Sequence, residues 1–294
     1  MKKMLWKTLA VATVAALSAL APLSGAHAQD DKKINIGWTA WSDAETVTKL
    51  AKKVLEDRLG YEVELTMADI GIQYQGVATG KLDAMLMSWQ PVTHKSYVEK
   101  VGKDLVDLGP MYTDARLGWA VPDYIPADQL KSIEDLKKPE VQKKLGGRIQ
   151  GIDPGAGLMQ VSEEAIKSYG LDKYQLVSAS DAAMLAGLTQ AMKRDEWIVV
   201  TAWSPHWMFS KWKLRYLEDP KGVLGGTEHV NKLVRKGFEQ DHPEAYAFLK
   251  RMALPISDVE AIMAEAQDSS YEKAVENYIK NNPERIDSWV TGKS

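Results

Sequence analysis

The sequence of 294 residues contains no cysteine and only three phenylalanines. Without cysteine there is no disulfide, no thiol nucleophile and no thiolate metal ligand, so stability must come from core packing. The formal net charge is −3 and basic residues do not cluster, which argues against a nucleic-acid partner. Beyond residue 28, no apolar run is long enough to cross a bilayer.

Motifs of the common enzyme classes are missing as well. The four histidines after residue 28 form no HxH or HxxxH pair, so we expect no zinc site. The glycine-rich run GIDPGAG (151–157) lacks the Gly-Lys-Ser/Thr of a phosphate-binding loop, and no Gly-x-Ser-x-Gly elbow occurs. We therefore expect a protein that is not an enzyme, with no catalytic residues, no cofactor and no metal.

Residues 1–28 have the pattern of an export signal. Lys2, Lys3 and Lys7 precede the apolar run LAVATVAALSALAPL, and Ala-His-Ala at 26–28 matches a cleavage site. An uncleaved anchor is the alternative, but the apolar run is short for a membrane span. We expect cleavage after Ala28 and, since no cysteine follows to carry a lipid, a soluble protein of the periplasm.

The remaining chain predicts an α/β fold. Apolar strand patterns at 34–39, 61–67 and 83–88 alternate with helical patterns at 44–58 and from 94 onward. A second set of strands and helices runs from about 116 to 203, and mostly helical segments follow residue 220, including part of 230–238. We expect two lobes, each a mostly parallel sheet flanked by helices, with the ligand in the cleft between them. Residues 29–118 form lobe 1, 119–208 form lobe 2, and 209–294 return to lobe 1 with C-terminal helices.

Tryptophan is the aromatic residue that this chain uses in excess, with ten copies. Trp41, Trp89 and Trp203 each follow a predicted strand, and a proline stands two residues after the second and third. Ligands of open α/β sheets bind at the carboxyl ends of strands. For any single tryptophan, core packing is the better interpretation. The shared position of these three instead predicts one aromatic site, with Trp207 as the next candidate.

Three indole faces suit one kind of ligand. A quaternary ammonium group has no N–H to donate, so electron-rich ring faces hold it better than hydrogen-bond acceptors do. The glycine-rich turn at 155–158 lies at a predicted helix start, where free amides favour an anion. His94 could donate one more hydrogen bond. The pattern indicates a ligand that joins an onium cation to a carboxylate.

These motifs resemble those of the glycine betaine/proline betaine-binding components of ABC transporters. The resemblance covers nearly all of the chain after residue 28. It is carried by AWSDAE (40–45), SWQPVTH (88–94), GIDPGAGLM (151–159) and TAWSPHWMF (201–209). It implies a two-lobed type II periplasmic binding protein that delivers glycine betaine, or a close relative, to a membrane permease. By this resemblance Trp41, Trp89 and Trp203 form the cation cage, and the carboxylate meets His94 and the amides of Gly157 and Leu158.

Alternatives remain open at this point. Choline-binding relatives share the tryptophan cage and have an aspartate two residues after its first member, here Asp43, which makes Asp43 a further candidate for ligand contact. Carnitine and dimethylsulfoniopropionate also join an onium centre to a carboxylate. A secreted enzyme acting on an onium compound would need a general base, for which Asp43 and His94 are the candidates. We expect a monomer.

Overall fold

The computed structural model describes residues 32–293. The predicted signal segment 1–28, with its cleavage site at Ala28, lies outside the described residues. No helix in the described part is both long and apolar enough to cross a membrane.

Strands and helices alternate from Lys33 to Ser204, as the sequence predicts. The strands are β1 (Lys33–Trp38), β2 (Glu62–Met67), β3 (Ala84–Gln90), β4 (Leu105–Pro122), β5 (Arg148–Gln150), β6 (Gln175–Val177), β7 (Val200–Ser204), β8 (Leu214–Tyr216) and β9 (Thr227–Arg235). The helices are α1 (Ser42–Leu59), α2 (Ile70–Ala78), α3 (Lys95–Val101), α4 (Pro139–Leu145), α5 (Gly157–Tyr169), α6 (Asp181–Arg194), α7 (Met208–Lys211), α8 (Phe238–Asp241), α9 (Pro243–Arg251), α10 (Ile256–Asp268), α11 (Tyr271–Asn281) and α12 (Pro283–Thr291). Short 3₁₀ turns span Gly102–Asp104 and Ile133–Lys137.

The sheet has parallel strands at both ends and antiparallel strands between them. Its order is β2-β1-β3-β9-β4-β7-β5-β6, and β8 pairs with β4. The pairs β1–β2, β1–β3, β5–β6 and β5–β7 are parallel, whereas β9 runs antiparallel to both β3 and β4. The long strands β4 and β9 therefore connect the two parallel groups.

Two hydrophobic clusters pack around the sheet, and the larger one includes residues from both parallel groups, such as Ile36 in β1 and Val200 in β7. The larger one packs β1, β3 and α1 against the C-terminal helices and also reaches the tryptophans named above. The smaller one is centred on Trp119 in β4 and includes Val199, Leu217 and Leu224. Helix α1 shows how local sequence sets the boundaries: its buried stripe includes Val47, and Gly60 ends it in the left-handed conformation at φ 70°.

One secondary-structure prediction is wrong and one is too short. The helical prediction for part of 230–238 fails, because Thr227–Arg235 is the strand between β3 and β4 and is buried on both faces. A strand covered on both faces loses the alternation that identifies strands, so its apolar run does not distinguish strand from helix. The strand predicted around 116–122 extends back to Leu105.

Candidate functional site

The three predicted cage tryptophans line one cavity. Trp41 is the residue before α1, Trp89 is the next-to-last residue of β3, and Trp203 is the next-to-last residue of β7. They are only 5%, 3% and 3% exposed. The cavity has about 270 Å³ of empty space, including solvent at its mouth, which suits a ligand of few atoms. The residues that line it are Trp41, Trp89, Thr93, His94, Leu117, Ile152, Ala156, Gly157, Leu158 and Trp203.

Neighbouring strand ends explain why residues so far apart in sequence meet. Trp203 pairs with Leu117 between β7 and β4, and Trp89 pairs with Val230 between β3 and β9. The peptide bonds before Pro91 and Pro205 are both cis. Trp89 and Trp203 each stand one residue before the end of their strand.

His94 lies in this cavity as a neutral hydrogen-bond donor. The backbone N–H of Trp89 donates to Nδ1 of His94 at 3.0 Å, which requires Nδ1 to be unprotonated and leaves the proton on Nε2. Burial lowers the pKa of His94 to about 3, and the nearby Met87 carbonyl offsets this only in part. The imidazole therefore offers Nε2–H rather than a positive charge.

The amides of Gly157 and Leu158 lie beside His94. These two residues open α5, and among residues 32–293 neither amide has a hydrogen-bond acceptor. Free N–H groups at a helix start, together with the helix dipole, favour an anion. A Cβ on Gly157 would overlap the Thr93 carbonyl oxygen and approach Cδ2 of His94 to 2.6 Å. Only glycine permits this close approach.

Asp43 is placed differently from the other candidates. It is fully buried and is not among the residues that line the cavity. Its Oδ1 accepts from the indole Nε1–H of Trp203 at 3.1 Å, and its Oδ2 accepts from the hydroxyl of Tyr112 at 2.7 Å. Burial raises the pKa of Asp43 to about 6, even though both hydrogen bonds oppose the shift. Asp43 therefore stands behind Trp203.

Hydrogen bonds beside the cavity join the two predicted lobes. Trp41 Nε1 donates to Asp153 at 2.9 Å, and the hydroxyl of Tyr97 donates to the Gly155 carbonyl at 2.6 Å. Gln160 Nε2 donates to the same hydroxyl at 2.8 Å. The described arrangement is therefore closed around the cavity.

A second cross-lobe contact lies deeper in the protein. The amide and hydroxyl of Ser42, at the start of α1, both donate to Asp181 Oδ2 at the start of α6, at 3.3 and 3.1 Å. Trp207 donates its indole N–H to the Ser42 hydroxyl at 3.1 Å and does not line the cavity. Trp207 is thus a packing residue in this structure.

Sequence reasoning missed several of these residues. Asp153 lies within the glycine-rich motif but was not singled out, and Thr93 lies within SWQPVTH. Tyr97 and Gln160 carry no motif signal, because their partners lie 58 and 63 residues away. Only the folded chain brings them together. Among residues 32–293, no group of three His, Cys, Asp or Glu side chains could hold a metal ion.

Comparison with solved structures defines the class of protein. The structure superimposes with a TM-score of 0.83 on a lactococcal OpuAC, solved in its closed, liganded conformation with glycine betaine; the two are 37% identical over 89% of this chain and all of that one. A glycine/betaine/L-proline-binding protein (ProX) from Borrelia burgdorferi gives the same TM-score at 35% identity over 88% of this chain and 96% of its own. The fold is that of a two-lobed, type II periplasmic binding protein, which confirms the predicted fold class.

Sequence comparison defines the family. Residues 32–281 match the family described as the substrate binding domain of ABC-type glycine betaine transport systems, and the chain belongs to it. A curated relative, the glycine betaine/carnitine transport binding protein GbuC of Listeria monocytogenes, is 42% identical over 161 residues. That match covers 54% of this chain, and it spans only 53% of the length of the relative.

We predict that His94 stays neutral between pH 5 and pH 8, with its proton on Nε2. Nitrogen–proton correlation spectra of the folded protein would show one histidine ring of this tautomer whose shifts do not move over that range. The same residue in urea should titrate near 6.5. Because the unfolded chain then binds the additional proton, acidification from pH 7 to 5 lowers stability through His94. Titration of the folded ring near pH 6.5, or a proton on Nδ1, would contradict the assignment.

Proposed function

We propose that the protein captures glycine betaine, or a related quaternary ammonium carboxylate, for an ABC transporter. One observation carries this proposal: a single small cavity is lined both by three tryptophans and by a donor set of one neutral imidazole and two free amides. The first group suits a cation that has no N–H, and the second suits a carboxylate. The liganded lactococcal relative binds glycine betaine, which supports the same assignment here.

Rough magnitudes are consistent with useful affinity. Each desolvated indole face contributes about 2 kcal/mol toward a cation, and the contributions of three faces are less than additive. A micromolar ligand needs about −8 kcal/mol in total. Hydrogen bonds to a charged group contribute about 1.5–3 kcal/mol each, so a carboxylate held by Gly157, Leu158 and His94 supplies the remainder. A ligand that lacks the carboxylate loses this contribution to the binding free energy.

The carboxylate donors favour betaines over choline. Choline carries a hydroxyl in place of the carboxylate, and Asp43 is the residue that the sequence offers for it. Each oxygen of Asp43 already accepts one hydrogen bond, from Trp203 and from Tyr112, and Asp43 is outside the cavity lining, so it is not placed to receive that hydroxyl. Carnitine and dimethylsulfoniopropionate keep the carboxylate and therefore remain members of the proposed ligand class.

We propose binding without catalysis. The family is a substrate-binding one, and an enzyme acting on an onium compound would need a general base beside the ligand. His94 presents a donor rather than a free lone pair to the cavity, since its Nδ1 already accepts from Trp89. Asp43 does not reach the cavity. Neither candidate base is in a position to accept a proton from the ligand.

The location, the partner and the lobe boundaries of the protein are further parts of the proposal. We propose a periplasmic monomer that presents its two closed lobes to a membrane permease, in keeping with the substrate-binding role of the family. The predicted lobes 29–118, 119–208 and 209–294 remain our proposal, and the smaller hydrophobic cluster changes one of their bounds. Leu217 and Leu224 pack with the second cluster, so we place the return to lobe 1 at β9 (Thr227–Arg235).

Calorimetric titration of the purified protein tests the ligand assignment. Glycine betaine, proline betaine, carnitine, dimethylsulfoniopropionate and choline are compared under one condition. We expect at least one carboxylate-bearing onium ligand to bind in the micromolar range or better, and choline to bind more weakly. Tighter binding of choline than of every carboxylate-bearing ligand would overturn the assignment. Turnover of the bound ligand on prolonged incubation would favour the enzyme alternative.

A glycine substitution tests the close approach at the carboxylate side. In Gly157→Ala the new methyl group overlaps the Thr93 carbonyl, a backbone atom that cannot move aside, so the lobes cannot reach the described arrangement. Overpacking of this kind costs about 1–3 kcal/mol, or roughly ten- to a hundredfold in affinity.

The matched control is Gly155→Ala in the same turn. A Cβ there meets nothing closer than Asp69 Cβ at 4.0 Å, so affinity should stay within about twofold of wild type. Both variants should unfold at nearly the wild-type temperature. Equal affinities of the two variants would show that the Gly157 contact does not govern binding.

A further inference from the structure

Asp43 is a buried carboxylate that the binding scheme described above does not use. Its two oxygens accept hydrogen bonds from Trp203 and Tyr112, which are both neutral donors. Among residues 32–293, no lysine or arginine nitrogen lies within 4.0 Å of it. Burying a charge is costly, and nearby His206 can offset only part of that cost for Asp43.

The partners of Asp43 connect it to two walls of the cage. Trp203 is itself one wall. The ring of Tyr112 meets the ring of Trp89, a second wall, edge-on at a centroid distance of 6.4 Å and an interplanar angle of 83°. A single carboxylate therefore fixes the orientation of one wall directly and of another through one intervening ring.

The third wall of the cage, Trp41, is also hydrogen-bonded to a carboxylate. Trp41 donates its indole N–H to the carboxylate of Asp153 at 2.9 Å. Two of the three cage indoles thus donate to carboxylates that stand away from the cavity, since neither aspartate lines it. An anion at the N–H edge pushes electron density toward the ring, and hydrogen-bonded groups polarise one another in this way. The ring face then attracts a cation more strongly.

We propose that Asp43 sets the strength of the cation cage from behind, acting through Trp203 and Tyr112 without touching the ligand. This inference rests on the proposed function. It makes Asp43 a positioning residue for any onium head, and not a contact for a choline hydroxyl. At an effective dielectric constant of about 20, one charge behind the cage changes the affinity for a cation by about tenfold.

A charge in this place also predicts proton release on binding. Burial raises the pKa of Asp43 to about 6, and a bound cation favours the ionised form, so ligand lowers that pKa. Affinity should therefore fall as the pH falls through about 6. Other titratable groups face Asp43 from the elements around it: His206 after β7, Asp181 on α6, Tyr112 on β4 and Tyr271 on α11.

The test compares wild type with Asp43→Asn, which keeps the shape and one acceptor oxygen but removes the charge. Both proteins are titrated with glycine betaine and with choline. We expect the affinities for both ligands to fall by the same factor of about ten. Asp57→Asn, at the exposed far end of the same helix, is the control and should bind as wild type does. If the variant loses only choline binding, Asp43 contacts the choline hydroxyl directly. If neither affinity changes, Asp43 has no part in ligand binding. Either result overturns the proposal.

Proton release gives a readout that a merely structural role would not move. Calorimetry near pH 6, in two buffers of different ionisation enthalpy, should show protons released as glycine betaine binds to wild type and none released with Asp43→Asn. If the variant does not fold, absence of release in wild type still contradicts the proposal. If wild type binds no onium ligand, the proposed function fails; if it binds but release is absent, only the role of Asp43 fails.

Discussion

An indole can present its face to a cation only if its polar edge is satisfied elsewhere. A buried tryptophan needs an acceptor for its N–H, and a ring that is free to turn would offer its face only part of the time. In this protein Trp41 and Trp203 donate to Asp153 and Asp43, so the same hydrogen bonds that satisfy the edges also fix the faces. Much of the polar structure around the cavity follows from this requirement.

The second requirement is the exclusion of water, and the contacts between lobes provide it. The Thr93–His94 segment of one lobe lies so close to Gly157 of the other that no side chain fits between them. That contact places the imidazole of His94 next to the free amides at the start of α5. In the proposed binding scheme, closing the lobes would exclude water from the cavity and bring the carboxylate donors together.

The sequence was informative where one local signal marks one position. Trp89 and Trp203 come directly before short proline-bearing turns, and Gly157 falls at a clear helix start, so their places at the cavity could be predicted. Strand β9 was mistaken in part for a helix, since burial on both faces erases alternation. The contact of Tyr97 with Gly155 depends on two lobes meeting, and no pattern within either segment encodes it.

The position of Asp43 also could not be predicted from the sequence. Its spacing from Trp41 suggested contact with a ligand, but spacing along a chain does not tell on which side of a ring a carboxylate lies. The α1 helix turns Asp43 away from the cavity and into the space shared with Tyr112 and Trp203. The proposed role of Asp43 therefore lies in the electrostatics of the site and not in contact with the ligand.

The most direct test of this account is a crystal structure with glycine betaine. We expect the trimethylammonium group to lie against the faces of Trp41, Trp89 and Trp203, and the carboxylate oxygens to lie within hydrogen-bonding distance of His94 Nε2 and the amides at the start of α5. Density for the ligand outside this cavity, or with its carboxylate toward the tryptophans, would contradict it.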